Sequence, residues 1–93
     1  MTNKYLEKSA KIEEGNEKTL ELNYYILENE NVLNNRVYGI EIEKKIGNGH
    51  YERFLINDLY PNIQDVKNTV DKLAQNTVTP VALPFIIEDI LGT

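Results

Sequence analysis

The stretch RVYGIEIEKKI-GNG-HYERFLI, residues 36–56, decides the fold. On its left arm Tyr38, Ile40 and Ile42 alternate with Gly39, Glu41 and Glu43, the period of two that marks a half-buried antiparallel strand. On its right arm Phe54 and Ile56 alternate with Arg53 and Leu55. The three residues between the arms, Gly47-Asn48-Gly49, suit a hairpin built on a type I turn, with Gly49 in the left-handed bulge position. If Ile46 and His50 close that loop, Ile42 faces Phe54 and Ile40 faces Ile56 on the buried side. Glu43 then faces Arg53 on the solvent side as an opposite-charge cross-strand pair.

Working outward, residues 18–28 (KTLELNYYILE) repeat the alternation: Leu20, Leu22, Tyr24 and Ile26 on one face, Glu21, Asn23 and Tyr25 on the other. Residues 4–13 alternate only weakly, so residues 1–17 read as a strand or a loose arm. After Leu59 the period changes to 3.6. Pro61 stops the last strand, Asn62 is placed as an N-cap with Asp65 three residues on, and Ile63, Val66, Val70, Leu73 and Ala74 form an apolar stripe of a helix of roughly 13 residues. Asn76-Thr77-Val78 ends it. Thr79-Pro80 opens a short turn, and a second helix runs from about Leu83 to Leu91, with Pro84 tolerated in its first turn. Its stripe is Leu83, Ile86, Ile87, Ile90 and Leu91. The expected fold is α+β: one domain over residues 1–93, a three- to four-stranded antiparallel meander followed by two C-terminal helices packed on one face.

Composition narrows the chemistry. The chain has 93 residues, 10 basic against 15 acidic side chains, a net charge of -5, one histidine and no cysteine. Disulfides, thiolate nucleophiles and cysteine-held metals are excluded. The acidic surplus opposes general nucleic-acid binding, which needs clustered Lys and Arg. No apolar run approaches the roughly 18 residues of a membrane helix and no signal-peptide core is visible, so a cytoplasmic protein is expected.

His50 reads as the flank of an exposed turn rather than a general base. Glu41 and Glu43 point the same way along a strand, but on a surface that offers Arg53 as counter-charge, not in the cleft that hydrolytic carboxylates require. Gly47-x-Gly49 lacks the third glycine and lysine of a phosphate cradle. No metal or cofactor is expected, and the enzyme reading ranks last.

The remaining signals concern partners. The chain has six tyrosines, two phenylalanines and no tryptophan. Tyr25, Tyr51 and Arg53, with Glu21, fall on the face away from the core, an interface composition. An acidic run of Glu13, Glu14 and Glu17, continued by Glu21, reads either as a solvated rim or as a phosphate mimic for a basic groove. The expected function is a small acidic, non-enzymatic protein-binding module, a regulator or inhibitor. The alternative is a phage- or mobile-element-encoded inhibitor of the anti-CRISPR type, aimed at a host nucleic-acid-binding defence complex. Self-association is a further option, through an outer strand at residues 18–28 or through the C-terminal apolar stripe.

Three segments, Asn23-Tyr-Tyr-Ile-Leu-Glu-Asn-Glu30, Val37-Tyr-Gly-Ile-Glu-Ile-Glu-Lys44, and Val78-Thr-Pro-x-x-Leu83 with Ile87-Glu-Asp-Ile-Leu91, resemble a family of short proteins of unknown function from spore-forming anaerobic bacteria. The resemblance runs from about residue 18 to the C-terminus. It implies a bacterial, cytoplasmic origin and carries no activity or functional residues.

Overall fold

In the computed structural model, which describes residues 3–14, 18–47 and 49–91, alternating runs become four long strands and the 3.6-residue periods become two helices. The strands are β1 (Asn3–Glu14), β2 (Lys18–Glu30), β3 (Arg36–Ile46) and β4 (His50–Tyr60); the helices are α1 (Ile63–Gln75) and α2 (Leu83–Leu91). The sheet order is β1-β2-β3-β4, every neighbour antiparallel, so the chain meanders and then lays both helices on one face. Of the alternatives left by the sequence, the four-stranded sheet is the one formed. β2 is paired on both sides, by β1 and β3, and therefore is not the outer strand that self-pairing at residues 18–28 would need.

The β3–β4 hairpin has the register expected from its turn. Ile46 pairs with His50, Ile42 with Phe54 and Ile40 with Ile56. Gly49 takes φ 89°, where a side chain would be strained, and its N–H donates to the Ile46 carbonyl at 2.9 Å. The register slips further along, since Tyr38 pairs with Tyr60 rather than with residue 58. The slip lies opposite Gly39, where a Cβ would sit 2.2 Å from the Ile56 carbonyl oxygen and 2.8 Å from the Asn57 Cα. Asp58 absorbs the extra length with φ 58°. Glycine inside a strand marks a bulge with a close backbone approach, and Gly39 is one.

A second irregularity explains the weak alternation of β1. Its register against β2 shifts between Leu6 and Lys8, so the inward phase carried by Tyr5 moves to Lys8, Ala10 and Ile12. At the other end of the sheet the β2–β3 turn is tied by Asn31, whose Oδ1 accepts from the N–H of Leu33 at 2.9 Å and of Asn35 at 3.1 Å.

The core lies between the sheet's inner face and the helices. Leu22, Tyr24, Ile26, Tyr38, Ile40 and Ile42 from the sheet meet Val66, Val70 and Leu73 of α1, Val78, and Leu83 and Ile87 of α2. Asn62 caps α1, its Oδ1 accepting from the Gln64 N–H at 2.7 Å. The helix ends in a Schellman motif: the Val78 N–H donates to the Leu73 carbonyl at 3.0 Å and the Thr77 N–H to the Ala74 carbonyl at 3.1 Å, with Thr77 at φ 46°. The Tyr24 hydroxyl crosses the core to donate to the Val78 carbonyl at 2.9 Å, and burial pushes its pKa up to about 12. Not all the expected stripe is covered. Ile63 at the start of α1, Ile90 and Leu91 at the end of α2, and Phe54 on the edge strand β4 remain substantially exposed.

Candidate functional site

Three rows of side chains cross the outer face of the sheet, the one without helices. The pairing places Ser9, Asn23, Glu43 and Arg53 in one row over four strands, Lys11, Glu21, Lys45 and Tyr51 in a second, and Leu6, Tyr25, Glu41 and Leu55 in a third. Strand alternation accounts for the odd-numbered positions of β2, β3 and β4, and the bulge between Leu6 and Lys8 brings Leu6, Ser9 and Lys11 of β1 to the same face.

The sequence expects this face to be wet. It is instead a closed polar network. Glu41 and Glu43, expected to point into solvent, are only 2% and 7% exposed. Glu43 is the hub. Its carboxylate accepts from the Tyr51 hydroxyl at 2.8 Å, from Asn23 Nδ2 at 3.0 Å and from the Tyr25 hydroxyl at 3.3 Å, and Lys45 Nζ lies 3.6 Å away. Asn23 spends both its amide hydrogens, on Glu43 and on Glu21 at 3.0 Å, while its Oδ1 accepts from the Ser9 hydroxyl at 2.8 Å. Glu41 is held by Lys4 Nζ at 2.6 Å, and the same ammonium sits 4.3 Å from the centre of the Tyr25 ring. Side chains on four adjacent strands thus bury two carboxylates without a second layer. Each charge is compensated by donors within reach, the condition for burying it at all.

The electrostatics follow. Desolvation pushes the Glu43 carboxyl up, but hydrogen bonds from Tyr51 and Asn23, the Lys45 charge and the Tyr25 hydrogen bond outweigh it and hold the pKa below the ordinary carboxylate value. The same contacts raise both tyrosines. The Tyr51 hydroxyl is raised first by its hydrogen bond to Glu43, and that of Tyr25 first by burial and then by the Glu43 charge. Both rings stay neutral hydrogen-bond donors.

Tyr25, Tyr51, Arg53 and Glu21 do share one face, as expected. The Glu43–Arg53 pairing holds only as a register, since the carboxylate is taken by Tyr51, Asn23, Tyr25 and Lys45 and no ion pair of Arg53 occurs among the described residues. Tyr25 is half-buried rather than free, while Tyr51 and Arg53 are exposed. Glu13 lies beside Thr19 at the far end of the β1–β2 ladder, and the Glu14 backbone pairs with Lys18. Glu17 lies outside the described residues. Glu21 is flanked by Lys11 on one strand and Lys45 on the other.

The sequence reading missed Asn23, Glu41, Glu43, Lys4 and Ser9 as parts of one network. Extending the hairpin register from β3 onto β2 sets Asn23 against Glu43 and Tyr25 against Glu41, and that extension was the available signal. An open depression of about 510 Å³ adjoins the network, with Lys11, Thr19, Glu21, Lys45 and Tyr51 on its walls. His50 projects from the turn nearby, its Nε2 3.8 Å from Glu52 Oε2 and its side chain mostly in solvent. No group of three or more His, Asp or Glu side chains placed to hold a metal occurs among the described residues. No helix among them is long and apolar enough to cross a membrane.

Set beside known proteins, residues 3–93 match the model of a family of unknown function (DUF6514), and the chain belongs to that family. No curated protein and no solved structure matches it.

Proposed function

We propose that this family member is a small, non-enzymatic protein-binding module, a regulator or inhibitor acting in the cytoplasm of a spore-forming bacterium, and that its partner docks on the outer face of the sheet. The observation that supports the reading most is the clamp on the two tyrosines. One carboxylate, Glu43, holds both hydroxyls, so the Tyr25 and Tyr51 rings are fixed before any partner arrives. Side chains ordered in advance lose little entropy on binding, and tyrosine gives a large contact area with a polar end. Arg53, exposed beside Tyr51, adds a cation free for a partner's carboxylate. The depression beside the network is open rather than enclosed, and an open surface suits a macromolecule better than a small substrate, which needs an enclosing site.

Site-specific photocrosslinking from the Arg53 position in cells of the source organism tests the reading. A single crosslinked protein is expected, and Arg53→Glu or Tyr51→Ala in the untagged background should abolish its co-purification. Tyr51→Phe keeps the ring and should retain it in part. Retention of the partner by both Arg53→Glu and Tyr51→Ala removes the outer face from consideration.

The second reading, an inhibitor of the anti-CRISPR type that mimics phosphates through Glu13, Glu14, Glu17 and Glu21, draws less support from the arrangement of charge. Lys11 and Lys45, cross-strand neighbours of Glu21, set cations into the part of that rim nearest the network. Reversing the four glutamates to lysine discriminates the two: the mimic loses inhibition, most at low salt where charges are least screened, while the tyrosine-centred surface keeps its partner.

A further inference from the structure

The second helix is apolar on the side it should not be. Leu83 and Ile87 enter the core, so Phe85, about half a turn from both, faces out with Glu88 and Asp89, and Val81 in the turn before the helix is exposed as well. Val81 and Phe85 are each 66% exposed. An outward phenylalanine with a neighbouring valine is outside the stripe that packs this helix on the sheet. The patch continues past the helix start: Val81 and Pro80 border a depression of about 360 Å³ whose other wall is β4, from Tyr51 to Phe54. Phe54 itself is 41% exposed.

Charge brackets this patch asymmetrically. At the edge where Val81 meets β4 stands Arg53, whose strand position faces the helix-free side and which walls the same depression; Glu52 on that wall is taken by Lys44 at 3.4 Å. At the other end of the α2 face, about 9 Å from Leu83 at 1.5 Å per residue, stand Glu88 and Asp89. None of the three makes an ion pair among the described residues.

We infer that a second copy of this chain covers the patch, in a two-fold contact that sets Phe85 of each protomer into the depression between β4 and Pro80–Val81 of the other. A contact between identical patches needs each end of the patch to complement its opposite end. This strip does so: its order is cation, apolar centre, two anions, and turning it through 180° lays Arg53 against the partner copy's anions and the anions against the partner copy's Arg53. An unrelated partner would have to match that order by chance, whereas a copy matches it by symmetry. An apolar centre with charges confined to the rim is also the usual anatomy of a protein interface. The contact uses the β4 rim and α2 and leaves Tyr25 uncovered; it shares Arg53 and Tyr51 with the docking proposed above, so Phe85→Ser, outside that surface, is the variant that tells the two apart.

Analytical ultracentrifugation of the full chain over about 10 to 500 µM is the test, since dimer population follows concentration. The wild-type protein is expected to pass from monomer to dimer. Phe85→Ser removes an exposed ring without touching the core and should leave a monomer with an unchanged thermal midpoint. Arg53→Glu, and separately Glu88→Arg with Asp89→Arg, should each raise the dimer dissociation constant about tenfold by setting like charges together. Joining the two sets restores opposite charges and should return the constant to near the wild-type value. A wild-type chain that stays monomeric throughout overturns the inference, as does a dimer indifferent to Phe85→Ser or a triple reversal that fails to recover. A monomer that crosslinks from position 85 to a different protein in the cell assigns the patch to that protein instead.

Discussion

On the helix side of the sheet, Leu22, Tyr24, Ile26, Ile40 and Ile42 are buried because α1, α2 and the turn between them lie over them. On the other side, Asn23, Glu41 and Glu43 reach nearly the same burial with no element above them. The first face excludes water by adding a layer. The second does so by laying its own long side chains, Lys4, Tyr25, Lys45 and Tyr51, over short ones in the next row. The difference teaches that an open antiparallel sheet need not leave its uncovered face wet, provided the register supplies a donor for each buried carboxylate oxygen.

Five measurements would break or sharpen that comparison. The largest effect belongs to the layered face. Leu22→Ala opens a cavity under α1 and should cost about 3–5 kcal/mol in chemical denaturation. Gly39→Ala comes next, because its Cβ would enter the β4 backbone rather than a movable side chain, and a loss of about 2–3 kcal/mol is expected. Glu43→Ala tests the self-covered face directly. It strands three donors at once, so a loss of about 1–3 kcal/mol is expected. A cost near zero would mean that the face is merely crowded and that its hydrogen bonds add nothing.

The same residue sets an acid dependence. The folded pKa of Glu43 is lowered, so its contribution is complete above the ordinary value of 4.5 and is lost as pH falls through the folded value. Glu43→Gln should therefore flatten the acid limb of the stability profile while Leu22→Ala lowers the whole curve in parallel. Urea denaturation at pH 7 and at pH 3 separates the two. The smallest effect lies outside both faces. Thr77 holds a left-handed position that glycine adopts without strain, and Thr77→Gly should raise stability by about 1 kcal/mol, read as a higher denaturation midpoint.

How much of this was legible in the sequence varied by element. The hairpin around Gly47-Asn48-Gly49 and both helix boundaries were open to reading, because turn chemistry, an N-cap and a periodicity each act locally. β1 was ambiguous for a physical reason: its bulge between Leu6 and Lys8 reverses the phase of alternation midway, so neither half alone makes a convincing strand. The slip at Gly39 was missed although a glycine inside a strand announces one. The network was the least legible part. Glu41 and Glu43 look like solvent-facing acids along their own strand, and only the simultaneous register of β1, β2 and β3 brings Lys4, Ser9 and Asn23 to them. Candidate residues chosen one strand at a time therefore included the tyrosines and omitted the carboxylate that orients them.

The order of the elements along the chain sets a schedule for synthesis. Every strand pairs with its sequence neighbour, so each hairpin can close soon after it leaves the ribosome, at about 5–20 residues per second. The layer that covers the inner face, residues 63–91, emerges only after the whole sheet. Through that interval the nascent chain carries a formed sheet with Leu22, Tyr24, Ile26, Ile40 and Ile42 bare. A stop codon after Pro61 would make that condition permanent. Such a product should be recovered in the insoluble fraction or bound to chaperones.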